Sequence, residues 1–162
     1  MKRIVLFCTL LLAASHFSYA QMYMKAVAPK EGAFQGSVAA PSTVGNGFIT
    51  VSAIDFGGKP IKVTKPTDAN SVQFVEAAAE KEVFSTVELK FANKDKNGAI
   101  YIYMTIKLTD ASISDMKQSN STDVISFTYL KETVEQTPPP TTPVVTPSTT
   151  IKPVAAPVLK KG

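Results

Sequence analysis

Ten consecutive residues, Ile100 to Thr109, alternate strictly: Ile100, Ile102, Met104, Ile106 and Leu108 are apolar, and Tyr101, Tyr103, Thr105, Lys107 and Thr109 between them carry polar atoms. Successive side chains of a strand point to opposite faces, so this period of two specifies a long strand with one dry and one wet side. Upstream, Val87, Leu89 and Phe91 alternate with Thr86, Glu88 and Lys90. The stretch between, Asn93 to Gly98, closes in Asn97-Gly98, a pair favoured in hairpin turns. The two strands are expected to pair antiparallel.

Phe48 to Phe56 lies between Gly45-Asn46-Gly47 and Gly57-Gly58 and reads as a further strand, with Phe48, Thr50, Ser52 and Ile54 on one side. Val124 to Val134, with Ile125, Phe127 and Tyr129 on one face, and Met22 to Val27 complete the strand set, while residues 28 to 47 show no period and read as a long loop. One helix is expected from about Ser71 to Lys81. Asn70 is placed to cap it, Val72, Val75 and Ala79 form its apolar stripe, and Gln73, Glu76 and Glu80 its wet side. The fold class is therefore mainly β: a two-sheet antiparallel barrel or sandwich with one flanking helix.

The ends differ from this middle. Met1-Lys2-Arg3, an apolar run of 11 residues from Ile4 to Ala14, and small residues at Ser18 and Ala20 have the form of an export signal cut before Gln21. The run is shorter than the roughly 20 residues of a membrane span. From Pro138 to Gly162 the chain holds seven of its 11 prolines, interspersed with threonine and without an aromatic residue, so it reads as a disordered, partly polyproline-II tail. That tail is read as a solvated spacer, with docking through its prolines or Lys160-Lys161 as the other reading. The organisation is thus 1–20 signal peptide, 21–137 folded domain and 138–162 tail.

The leader carries away Cys8 and His16, the single cysteine and single histidine. The remainder has no Ser-His-Asp or Cys-His machinery, no imidazole or thiolate metal site and no disulfide, so no catalytic, cofactor or metal residues are assigned. Between Gln21 and Thr137, 12 lysines stand against 13 acids, which leaves no footprint for a nucleic-acid backbone. Glu76 and Glu80 are the one carboxylate pair a helix would align, and they read as a solvated face. Asn93 to Gly98 resembles the start of a calcium loop, but its twelfth position is Met104 instead of a bidentate glutamate.

Taken in order, the segments resemble the haemolysin-coregulated protein family, the ring-forming tube proteins of type VI secretion. Met22-Tyr23-Met24-Lys25 resembles its opening strand, and Phe48 to Gly57 a second strand closing in an aromatic residue and glycine. Ile61-Lys62-Val63-Thr64-Lys65 precedes Asn70 to Ala78 as a threonine-lysine segment precedes the family's helix, and Ile100 to Ser114 and Asp123 to Glu132 come after it. The resemblance implies a non-enzymatic structural protein that assembles into hexameric rings and carries effectors. Tyr101, Tyr103 and Lys107 become candidate subunit or lumen contacts. The leader makes this an exported variant, periplasmic or secreted, with effector or envelope proteins as possible partners and no membrane span. The other reading is a monomeric exported binding or adhesive domain of the same fold, with the tail as spacer.

Overall fold

The computed structural model describes residues 20 to 139 apart from 31, 37 and 38. The expected leader and most of the expected tail lie outside the described residues. Among the described residues, eight strands and one helix follow in the order β1 (Gln21–Ala28), β2 (Gly32–Ala33), β3 (Ile49–Val51), β4 (Ala53–Asp55), β5 (Ile61–Pro66), α1 (Ser71–Ala79), β6 (Val83–Lys94), β7 (Ile100–Gln118) and β8 (Thr122–Gln136). All pairings are antiparallel. The sheet runs β2-β1-β6-β7-β8-β5-β4, with β3 on β1.

The sandwich with one flanking helix forms as expected, and the barrel form is not reached. The expected strand from Phe48 to Phe56 breaks at Ser52: β3 pairs with β1, β4 pairs with β5, and no continuous ladder joins the two ends of the sheet. The break also shifts the alternation. Ile49 and Val51 enter the main core and Ile54 packs against it, so Ile54 does not share a face with Phe48.

The main core draws on every layer: Met24 from β1, Val63 from β5, Phe74 from α1, Leu89 from β6, Leu108 from β7 and Phe127 from β8 are all fully buried. At its centre Phe84 meets Phe34 and Phe127 edge-on, at 5.6 and 5.9 Å between ring centres. Such arrangements place the positive ring edge on the negative face, adding about 0.5–1.5 kcal/mol each beyond area burial. Phe34 comes from the long loop, which is therefore a packed element. The same loop places Val44 beside Phe48 and Tyr23 in a second, smaller cluster on the opposite side of the sheet. There Lys90 Nζ sits 4.2 Å above the Phe48 ring and donates to the Val44 carbonyl at 2.7 Å.

α1 buries Ser71, Phe74 and Ala77, and Val72 and Val75 are exposed, so the expected stripe is rotated. Its C-terminus closes with Lys81 in the left-handed region (φ 55°). Lys81 N–H donates to Ala78 O and Glu82 N–H to Ala77 O, the paired bonds that satisfy the last free carbonyls of a helix. Asn70 is the N-cap residue as expected, but its side chain makes no capping bond. Its amide reaches instead to the Gln35 carbonyl at 3.2 Å, tying helix to loop.

The helix is rotated by a buried ion pair. Lys65 and Asp123 are both fully buried, with Nζ 3.0 Å from Oδ2. Lys65 Nζ also donates to the Pro66 carbonyl and Asp68 Oδ1, each at 2.8 Å, and to Ser71 Oγ at 3.0 Å. Ser71 Oγ in turn donates to Asp123 Oδ2, and Thr67 Oγ1 to Asp123 Oδ1 at 2.8 Å. Every charge is thus compensated, and both carboxylates lie at the positive N-terminal end of α1.

Burial alone would push the Asp123 carboxyl up; the bonds from Ser71, Lys65 and Thr67 and the lysine's charge outweigh it and leave the carboxyl below its ordinary range. A lowered folded-state value means that stability from Asp123 is complete above the unfolded value, about 4, and is lost as pH falls from there through the folded value. In urea titrations at pH 7, Asp123→Asn is expected to lose about 3–5 kcal/mol because Lys65 is left buried and under-compensated. The gap between wild type and Asp123→Asn should close below about pH 4, and Lys65→Met with Asp123→Leu should recover most of the single-variant loss.

Candidate functional site

Glu76 and Glu80, the carboxylate pair that helix spacing aligns, lie on the solvated face expected of them. Glu80 is joined to Lys30 at 2.8 Å, and that hydrogen bond, with the lysine's charge, holds its carboxyl below the ordinary range. Both Glu76 and Glu80 are exposed. In the Asn93–Gly98 turn, Asp95 Oδ1 accepts the N–H groups of Asn97 at 2.8 Å and Ala99 at 2.9 Å, so the carboxylate closes its own turn. Among the described residues no group of three or more His, Cys, Asp and Glu is placed to hold a metal ion.

The face expected to present Tyr101, Tyr103 and Lys107 together is divided. Phe91 pairs with Met104 but the next residue, Ala92, pairs with Ile102, so Tyr103 is one residue extra on β7. Such a bulge reverses which side the subsequent residues face. Ile106 and Leu108 enter the main core with Met104 against it, whereas Ile100 and Ile102 pack on the second cluster. Tyr103 also packs against the main core, 6.2 Å from the Phe91 ring. Tyr101 and Tyr103 line an open groove of about 610 Å³ with Asn93 and the segment Gln136–Pro139. Lys107 points away from it, opposite Glu88 on β6, and reaches Glu135 on β8 at 3.3 Å.

Two further surfaces were not legible at this level in the sequence. β5 pairs with β8 through Thr122 to Phe127, so from Thr128 to Gln136 the side of β8 away from β7 has no strand on it among the described residues. This edge carries two of the most exposed apolar side chains, Leu130 at 77% and Val134 at 50%. On it the Tyr129 hydroxyl donates to Glu132 at 2.7 Å and is thereby raised above the ordinary tyrosine range. The second surface is a groove of about 460 Å³ between α1 and the far end of β7, lined by Val75, Ala78, Ile113 and Met116 among others. The signal for the edge was a mismatch of lengths: a strand of 15 residues beside one of six.

The comparisons agree with this architecture. The pattern of the family described as "Type VI secretion system effector, Hcp" matches residues 34 to 136. Among solved structures, the secreted protein Hcp3 from Pseudomonas aeruginosa is similar, with TM-score 0.60 and 20% identity over 72% of this chain and 97% of that one. A double mutant of Hcp1 from E. coli EAEC 042 has TM-score 0.63 and 18% identity over 72% of this chain and 91% of that one. Hcp1 from Salmonella typhimurium has TM-score 0.59 and 12% identity over 73% and 86%. At these identities the structures establish the fold, while the family pattern covers well over half of the chain. No curated protein sequence matches. With the strand order, single helix and family pattern in accord, the chain belongs to the Hcp family of type VI secretion system proteins.

Proposed function

We propose that this chain is a non-enzymatic, exported relative of the type VI secretion tube subunits that assembles side by side into a ring, six-membered as the family resemblance implies. The observation that carries it is the open edge of β8 from Thr128 to Gln136. An uncovered strand edge presents a row of N–H and C=O groups to any neighbouring chain, and natural proteins usually blunt such edges with charge, proline or a bulge. Here Leu130 and Val134 add apolar area to it.

A closed ring is built from two different patches that meet head to tail. The groove between α1 and β7, which Val75 and Met116 line together with the polar Ser114, Asp115 and Gln118, supplies a second patch unlike the first. Lys107, bonded to Glu135 on the β8 edge, belongs to the same contact region. Effectors or envelope proteins are the partners such a ring would serve.

Export is supported by the leader and by the start of β1 at Gln21, the residue after the expected cut. On this reading the protein acts in the periplasm or outside the cell. Among the described residues no helix is long and apolar enough to cross a membrane.

Mass photometry of the purified protein at micromolar concentration is expected to give a particle of about six chains. Leu130→Asp with Val134→Asp should reduce it to single chains without lowering the thermal midpoint by more than a few degrees, since both side chains are solvent-exposed. A strictly monomeric wild type would overturn the ring. Mass spectrometry of protein recovered from the cell envelope should find Gln21 as its first residue, and a retained Met1 would refute export.

A further inference from the structure

The register of β6, β7 and β8 gathers four side chains on one face at the hairpin end of the sandwich. Residues directly opposite in an antiparallel ladder share a face, so Asn93 stands beside Tyr101, and Gln136 beside Met104. Ile100 and Ile102 turn to the second cluster, which leaves Tyr101 on the side where Met104 meets the main core. The extra residue at Tyr103 puts a second phenol there, braced by Phe91 at 6.2 Å, which is itself 5.6 Å from Phe56. Pro138 and Pro139 form the far wall of the resulting groove of about 610 Å³, within the range of roughly 300–1,000 Å³ usual for small ligands.

The lining restricts what can bind. None of the described residues that line the groove is charged, so an ionic ligand would lose its hydration without gaining a counter-charge. Thr137 gives its N–H to the Tyr103 carbonyl at 2.9 Å, and the prolines after it have none to give, so the ladder that seats an extended peptide cannot form on that wall. What remains is two rings with electron-rich faces, and the hydroxyl and amide groups of Tyr101, Tyr103 and the exposed Gln136, which both donate and accept. A pyranose has the complementary form: its C–H groups lie flat against an aromatic face while the hydroxyls at its edge bond to amides and phenols.

We propose that this groove is a binding site for a neutral oligosaccharide, with Tyr101 stacked on a sugar face, Tyr103 as the fixed floor and Gln136 bonding the sugar hydroxyls. The site is complete within one chain and does not depend on ring assembly.

The test titrates the isotope-labelled full chain with cellotetraose and, separately, with its N-acetylated counterpart chitotetraose, following backbone amide shifts by NMR. Saturable shifts confined to Asn93, Tyr101 to Tyr103 and Gln136 to Thr137 are expected with at least one of the two sugars, with a Kd on the order of 1 mM. Tyr101→Ala should weaken binding by about tenfold, while Tyr101→Phe, which keeps the ring, should stay within about threefold of wild type. Tyr103 is left unchanged because it packs against the core. Gln136→Ala changes an exposed side chain that the fold does not need, and is expected to weaken binding by about threefold with an unaltered thermal midpoint. Failure of both sugars to shift these amides at about ten times that concentration would overturn the proposal, as would binding that Tyr101→Ala and Gln136→Ala leave unchanged. A neutral proline-rich peptide that fills the groove where the sugars do not would also overturn it, in favour of a peptide site.

Discussion

The fold turns on one buried ion pair. Lys65 ends the alternation of β5, Ile61 and Val63 before it being ordinary core residues, and its ammonium group is carried to a place where no water reaches. A lysine is tolerated there because five oxygen atoms surround it or its partner in a closed set of bonds from β5, the turn after it, the first residue of α1 and β8. A buried pair of this kind adds little net stability compared with an apolar pair of the same volume, but it penalises every arrangement in which one partner is left alone. It therefore acts on geometry. Ser71 must face inward to bond both Lys65 and Asp123, which sets the rotation of the helix and brings Phe74 and Ala77, not Val72 and Val75, to the sheet.

A second constraint comes from irregularities in the strands. The extra residue at Tyr103 and the break at Ser52 each reverse the facing of the residues beyond them, and together they give the sheet cores on both sides. On one side the helix and folded-over strands cover the main core. On the other the long loop is anchored by Val44 and Phe48 and clamped by Lys90. The bulge also separates the tyrosines from Lys107, so a single imagined contact stripe becomes a groove at one end of the sandwich and an ion pair on the other face.

These features suit a structural role. Several charged groups are taken up in the framework: Glu80 with Lys30, Asp95 with its own turn, Asp123 with Lys65. Backbone edge and apolar surface remain open, and these are the materials of assembly. The uncovered half of β8 is a consequence of strand lengths alone, since β5 stops after six residues while β8 continues for nine beyond their last pair.

The sequence by itself determined the class of fold, the hairpin of β6 and β7, the closing strand with Ile125 and Phe127 buried, and the order of segments that resembles the Hcp family. Those depend on local period and turn chemistry, which each segment carries within itself. Only the tertiary structure decided which face of α1 is dry, and where the dry face changes side along β7 and between Phe48 and Phe56. The alternation of Ile61, Val63 and Lys65 could have marked β5, but a lysine in the third inward position reads as solvent-facing until Asp123, 58 residues away, is placed against it. Likewise the valines of α1 are as apolar as phenylalanine needs to be for a stripe; Ser71's bonds to residues outside the helix settled the choice. Bulges and uncovered edges are relations between strands, and no single strand's pattern contains them.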